Sequence, residues 1–113
     1  MDFFPQRPKV TPTIYVYELN GTNAHEGYIK VGYTDRDVET RIREQLHVSG
    51  IDFNILYQES SIRPDGTVFT DKEVHKILRR NGFTQYKEGE DRNEWFNCSV
   101  EDVMSAIEEL KTG

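Results

Sequence analysis

Two runs rich in β-branched and aromatic residues, residues 14–19 (Ile-Tyr-Val-Tyr-Glu-Leu) and residues 28–34, flank the turn-forming cluster Asn20-Gly21-Thr22-Asn23. That arrangement predicts a β-hairpin with a loop somewhat longer than the tightest kind, and everything downstream must pack around it. After Thr34 and Asp35, either of which can cap a helix, Val38, Ile42 and Leu46 recur at a spacing of four, with Arg41 and Gln45 on the flank of the stripe. This predicts a first helix ending near Gly50. Residues 53–60, with Phe53, Ile55, Leu56 and Tyr57, predict a third strand, and Arg63-Pro64-Asp65-Gly66 a turn. Thr70 opens a second helix with Val74, Ile77 and Leu78 on its apolar side, closed by Asn81-Gly82. A polar loop leads to Glu94-Trp95-Phe96. Ser99 then caps a last helix whose Val100, Val103, Met104, Ile107 and Leu110 share one face.

The expected architecture is α+β: a small three-stranded, mostly antiparallel sheet, made of the hairpin plus a third strand and flanked by three helices in the order ββαβαα. With 113 residues the chain has room for one domain and a single modest core. Pro5, Pro8 and Pro12 mark residues 1–12 as an extended arm, leaving residues 13–113 as the domain. No apolar run is long enough to span a bilayer or to act as a signal peptide, so a cytoplasmic protein is expected. Cys98 is the sole cysteine, which excludes an internal disulfide and a cysteine-cage zinc site, and His25, His47 and His75 share no metal-ligand spacing.

The net charge of −6 has the wrong sign for a protein that grips nucleic acid over its whole surface, so any DNA contact must be local. The second helix offers one: Lys72, Lys76, Arg79 and Arg80 outnumber Glu73 there, although a solvated helix face accounts for the same charges. Acidic residues gather elsewhere, over residues 88–91 and 101–109.

The order Thr13-Ile14-Tyr15, then Lys30-Val31-Gly32-Tyr33-Thr34, then Arg41, then Glu73-Val74-His75 and Glu94-Trp95-Phe96 resembles the GIY-YIG nuclease superfamily. The last two of these motifs look like the divergent branch found in phage DNA-binding proteins and as N-terminal domains of restriction-type helicases. The resemblance covers nearly the whole folded part. It implies DNA as partner, an attached helicase or other DNA-binding region, and metal-dependent cleavage of phosphodiester bonds with Mg²⁺ or Mn²⁺. Three positions depart from the pattern. Thr13 replaces a glycine, Lys30 stands where a tyrosine usually begins the second tripeptide, and Gln45 fills a slot often held by histidine, which the nearby His47 does not fill.

Phosphodiester hydrolysis needs a water nucleophile, a group to take its proton, positive charge, and a metal. Under the resemblance Tyr15, Tyr33 and Lys30 would orient or deprotonate water, Arg41 would hold the phosphate through its planar fork, and Glu73 would be the carboxylate on the metal. Lys76, Arg79, Arg80 and His75 would contact DNA. Each has a plainer reading. Tyrosines are ordinary in strands, Arg41 can cover helix surface with its stem, and Thr70-Asp71-Lys72-Glu73 is a capping box in which the glutamate bonds back to the helix start. Trp95 and Phe96 read as core, Cys98 as a small buried hydrophobe. Lys30 and the net negative charge favour the alternative function, a catalytically inactive GIY-YIG-like module that binds DNA or a protein.

Overall fold

A computed structural model describes residues 11–20, 27–46, 52–85 and 95–112. Residues 1–10 of the N-terminal arm, His25, His47, the end of the first helix near Gly50, the acidic stretch 88–91 and Glu94 lie outside the described residues. Strands β1 (Thr13–Asn20) and β2 (Ile29–Thr34) are followed by helix α1 (Val38–Leu46). Then come β3 (Asp52–Ser60), α2 (Asp71–Arg80), the short strands β4 (Thr84–Gln85) and β5 (Trp95–Asn97), and α3 (Val100–Thr112).

The sheet has five strands in the order β3-β1-β2-β5-β4, and every adjacent pair is antiparallel. This overturns the expected three-stranded sheet and the order ββαβαα; the order along the chain is ββαβαββα. The two additional strands are two and three residues long. Alternation cannot register over so few positions. What makes β5 a strand is tertiary: Ile29 pairs with Phe96 and Lys30 with Trp95, so the hairpin's free edge recruits it.

Side chains on a strand point alternately to opposite faces, so the two sides of β1 belong to two cores. Ile14 and Val16, with Ile29 and Val31 of β2, pack against Val74, Ile77 and Leu78 of α2 and Val103, Ala106 and Ile107 of α3. Tyr15 and Tyr17 pack on the other side with Val38 and Ile42 of α1 and with Trp95. Residues 14–17 of β1 are fully buried. The expected helix punctuation is present. Thr70 and Glu73 form a complete capping box on α2, and Gly82, at φ +89°, takes the left-handed conformation that ends it. The Ser99 hydroxyl accepts from the Asp102 backbone N–H at 3.2 Å, while the Asp102 carboxylate accepts from Ser99 N–H at 2.9 Å. No helix among the described residues is long and apolar enough to cross a membrane.

Candidate nucleic-acid interface

The hairpin brings Tyr15 over Gly32, its partner in register on β2. A Cβ at position 32 would collide with the Tyr15 ring, so only glycine lets the phenol cross the strand. Having crossed, the Tyr15 hydroxyl donates a hydrogen bond to Oε1 of Gln45 on α1 at 3.1 Å. Arg41 lies one turn earlier on α1, and its guanidinium is 3.7 Å from Glu44. Lys30 shares this side of the sheet. It is buried, and its Nζ lies 6.0 Å from the centroid of the Tyr17 ring and 5.8 Å from that of Trp95, within cation–π range.

Tyr33 is not with them. It pairs with Ile14 and packs against the core under α2 and α3, on the opposite side of the sheet. Tyr15, Lys30 and Arg41 thus belong to the α1 side, whereas Tyr33, Glu73 and His75 belong to the α2 side. His75 points inward: it is buried, its Nε2 lies 2.8 Å from the Val31 carbonyl, and its ring sits 5.2 Å from Phe96. Since a carbonyl only accepts, Nε2 carries the proton. Asp71 Oδ2 is 4.0 Å from the same nitrogen.

The outer face of α2 is different. Lys72, Lys76 and Arg79 are exposed at helical spacing and make no ion pair among the described residues. Arg80, also exposed, is committed to α3 through two hydrogen bonds to Glu109 at 2.8 and 2.9 Å.

Residues 13–111 match the T5orf172 domain family, a span running from the first residue of β1 to the last turn of α3. The chain belongs to that family. No curated protein and no solved structure matches it.

The carboxylate of this T5orf172 domain that the sequence offered to a metal is already engaged. Glu73 Oε1 accepts from the Thr70 backbone N–H at 3.1 Å and from its hydroxyl at 3.0 Å. Its other oxygen lies 3.5 Å from the Arg63 guanidinium. A dication placed there would face a fixed positive charge at contact range, so these residues do not fit Mg²⁺ or Mn²⁺ in this arrangement. Among the described residues no three His, Cys, Asp or Glu side chains gather as ligands.

A cavity of about 960 Å³ lies between the turn at Arg63–Thr67 and the last turn of α3 and touches none of the candidate site residues. It is a surface groove on the T5orf172 domain, and the proximity of Arg63 is structural: Nε of Arg63 donates to the Leu110 carbonyl at 2.9 Å, closing the end of α3. Burial pushes the Cys98 thiol up to about 12, with Asp102 adding to the shift, so it is no nucleophile at neutral pH. Sequence reasoning missed Arg36, Glu44 and Gln45 as contact partners. Only Gln45 left a signal, by sitting one turn after Arg41.

Proposed function

We propose that this domain is a nuclease-like DNA-binding module that holds backbone phosphates with the outer face of α2. The observation that carries the reading is the stripe Lys72, Lys76, Arg79: exposed cations without carboxylate partners among the described residues, on a chain whose net charge is −6. Membership in the T5orf172 family and the likeness to GIY-YIG nucleases supply the partner class. Cations at i, i+4 and i+7 line one side of a helix over about 10 Å, a span that reaches several phosphates of one strand. Contacts of this type set position and affinity and read no bases. With three of them affinity is low at physiological salt, which is why an attached helicase or other DNA-binding region forms part of the same proposal.

The chemistry around Tyr15 favours binding over hydrolysis. A phenol that is to take a proton from water must first lose its own, and an amide oxygen such as that of Gln45 accepts a hydrogen bond but no proton. Lys30 is buried between two aromatic rings rather than open to a phosphate. One observation favours the second reading, a GIY-YIG endonuclease: the Tyr15 hydroxyl and Arg41 flank the same turn of α1. Incubation with plasmid DNA and Mg²⁺ or Mn²⁺ separates the two, since nicked or linear product would establish the endonuclease. For the binding reading, fluorescence anisotropy with a short duplex should give log K falling against log salt with a slope of about −2.7, three contacts at 0.9 each. Replacing Lys72, Lys76 and Arg79 with alanine should flatten that slope toward zero. A slope that does not change shows α2 to be only a solvated face.

A further inference from the structure

Between β3 and α2, one arginine is fixed from several directions at once. The Arg63 backbone N–H bonds to the Thr67 carbonyl at 2.7 Å, and its own carbonyl accepts from the Gly66 N–H at 2.8 Å, so the turn sets where the side chain starts. The guanidinium is then held at its far end. Nε donates to the Leu110 carbonyl at 2.9 Å, Nη1 donates to Thr67 Oγ1 at 3.2 Å, and Nη2 lies 3.5 Å from Glu73 Oε2. Cζ sits 5.4 Å from the centroid of the buried Phe69 ring, within cation–π range. Only 26% of the Arg63 side chain is exposed, against 64% for Arg43, whose pair with Glu39 is of the ordinary surface kind.

Both oxygens of Glu73 are engaged, Oε1 by the Thr70 N–H and hydroxyl and Oε2 by Arg63. Asp71, the other carboxylate in the first turn of α2, is turned to His75, with Oδ2 4.0 Å from Nε2. A hard dication needs carboxylate oxygens free to face it, and a fixed cation at contact range opposes it. To reach Glu73 a metal would have to expel a guanidinium that keeps three further contacts by staying, to Leu110, Thr67 and Phe69. We propose that Arg63 is the built-in cation of Glu73. It holds the place a divalent ion would take, excludes Mg²⁺ and Mn²⁺ from that carboxylate, and makes the carboxylate a tie between the start of α2 and the end of α3. For the cationic stripe on α2 the consequence is duplex binding that needs no divalent ion. That consequence rests on the DNA-binding reading; the exclusion itself does not.

Mn²⁺ reports the exclusion directly, because its unpaired electrons broaden the NMR signals of nearby amides. Amide spectra with substoichiometric Mn²⁺ are recorded for the parent, Arg63→Gln, Arg63→Lys, and Arg63→Gln combined with Glu73→Gln. In the parent the amides of residues 70–76 should broaden less than those flanking Glu101, an exposed carboxylate without an ion pair among the described residues. Arg63→Gln should broaden residues 70–76 selectively, and adding Glu73→Gln should remove that gain. Arg63→Lys restores the charge without the fork and should stay close to the parent. Selective broadening of residues 70–76 in the parent, equal to that in Arg63→Gln, overturns the proposal, as does its absence from a folded Arg63→Gln. Should Arg63→Gln fail to fold, the parent decides alone: broadening at residues 70–76 beyond that around Glu101 overturns the exclusion, and less supports it. Duplex affinity of the parent at matched ionic strength should be no tighter with Mg²⁺ than with EDTA, and a tighter complex with Mg²⁺ overturns divalent-independent binding. No duplex binding in either buffer sinks the DNA-binding reading and leaves the Mn²⁺ comparison to decide the role of Arg63.

Discussion

Tyr15 and Gly32 stand in the two tripeptides that the sequence singles out, yet their relation to each other lies in the strand register. Gly32 is buried and paired with the very residue whose ring covers it, so Gly32→Ala should cost about 1–3 kcal/mol in chemical denaturation, the usual range for overpacking a core. In the Tyr15→Ala background the same change should cost far less, because the ring it strikes is gone. Equal costs in both backgrounds would show that the glycine answers some other need. Local pairs were readable from spacing alone: the capping box of Thr70 and Glu73 needs only four consecutive residues. Pairs that span the fold were not. Nothing in the chain's order announces that Arg63 faces Glu73 or that Lys30 lies between Tyr17 and Trp95.

At the scale of elements, the three helices and the first three strands were legible because each carries a repeating apolar pattern or a strand-forming run bounded by caps and turns. β4 and β5 were illegible because they exist only through the edge of β2. β3 is the opposite case, a nine-residue strand at the sheet's other edge with Ile55 and Leu56 exposed. Its register shifts opposite Val16 and Tyr17, where Leu56 is left without a partner, and such a bulge makes an edge a poor template for further strands. β3 is tied to α3 by a latch in which the Tyr57 hydroxyl and the Lys111 ammonium both donate to Glu59. Burial raises the Glu59 carboxyl, but the hydrogen bonds from Lys111 and Tyr57 outweigh it and hold the group below its ordinary 4.5; the bond to Glu59 pushes Tyr57 up to about 12. A carboxyl depressed in the folded state stabilises above its unfolded value, and that stabilisation is lost as pH falls through the folded value. The Tm of the parent should therefore drop below pH 4.5, and Glu59→Gln should lower Tm at neutral pH while removing part of the acid-side slope. Parallel Tm-versus-pH curves for the two proteins would show that the latch contributes nothing.

For the molecule as a whole, the net charge of −6 limits any DNA contact to a local patch, and the proposed patch, the outer face of α2, lies across the sheet from α1. The residues expected to converge on one site were expected to do so through a likeness in order along the chain, and order does not fix which side of a sheet a residue faces. Tyr33 follows Gly32 directly, and for that reason alone points away from Tyr15. The strand that separates the two sides has a kinetic consequence. β1 is hydrogen-bonded along both edges and covered above and below, so its amides can meet solvent deuterium only when the whole domain opens. In native-state hydrogen exchange, the amides of residues 14–17 should report the global unfolding free energy, while those of β4 and β5, held by a few edge bonds, should exchange earlier through local opening. Equal protection in both places would mean that the short outer hairpin opens and closes with the centre as one cooperative unit.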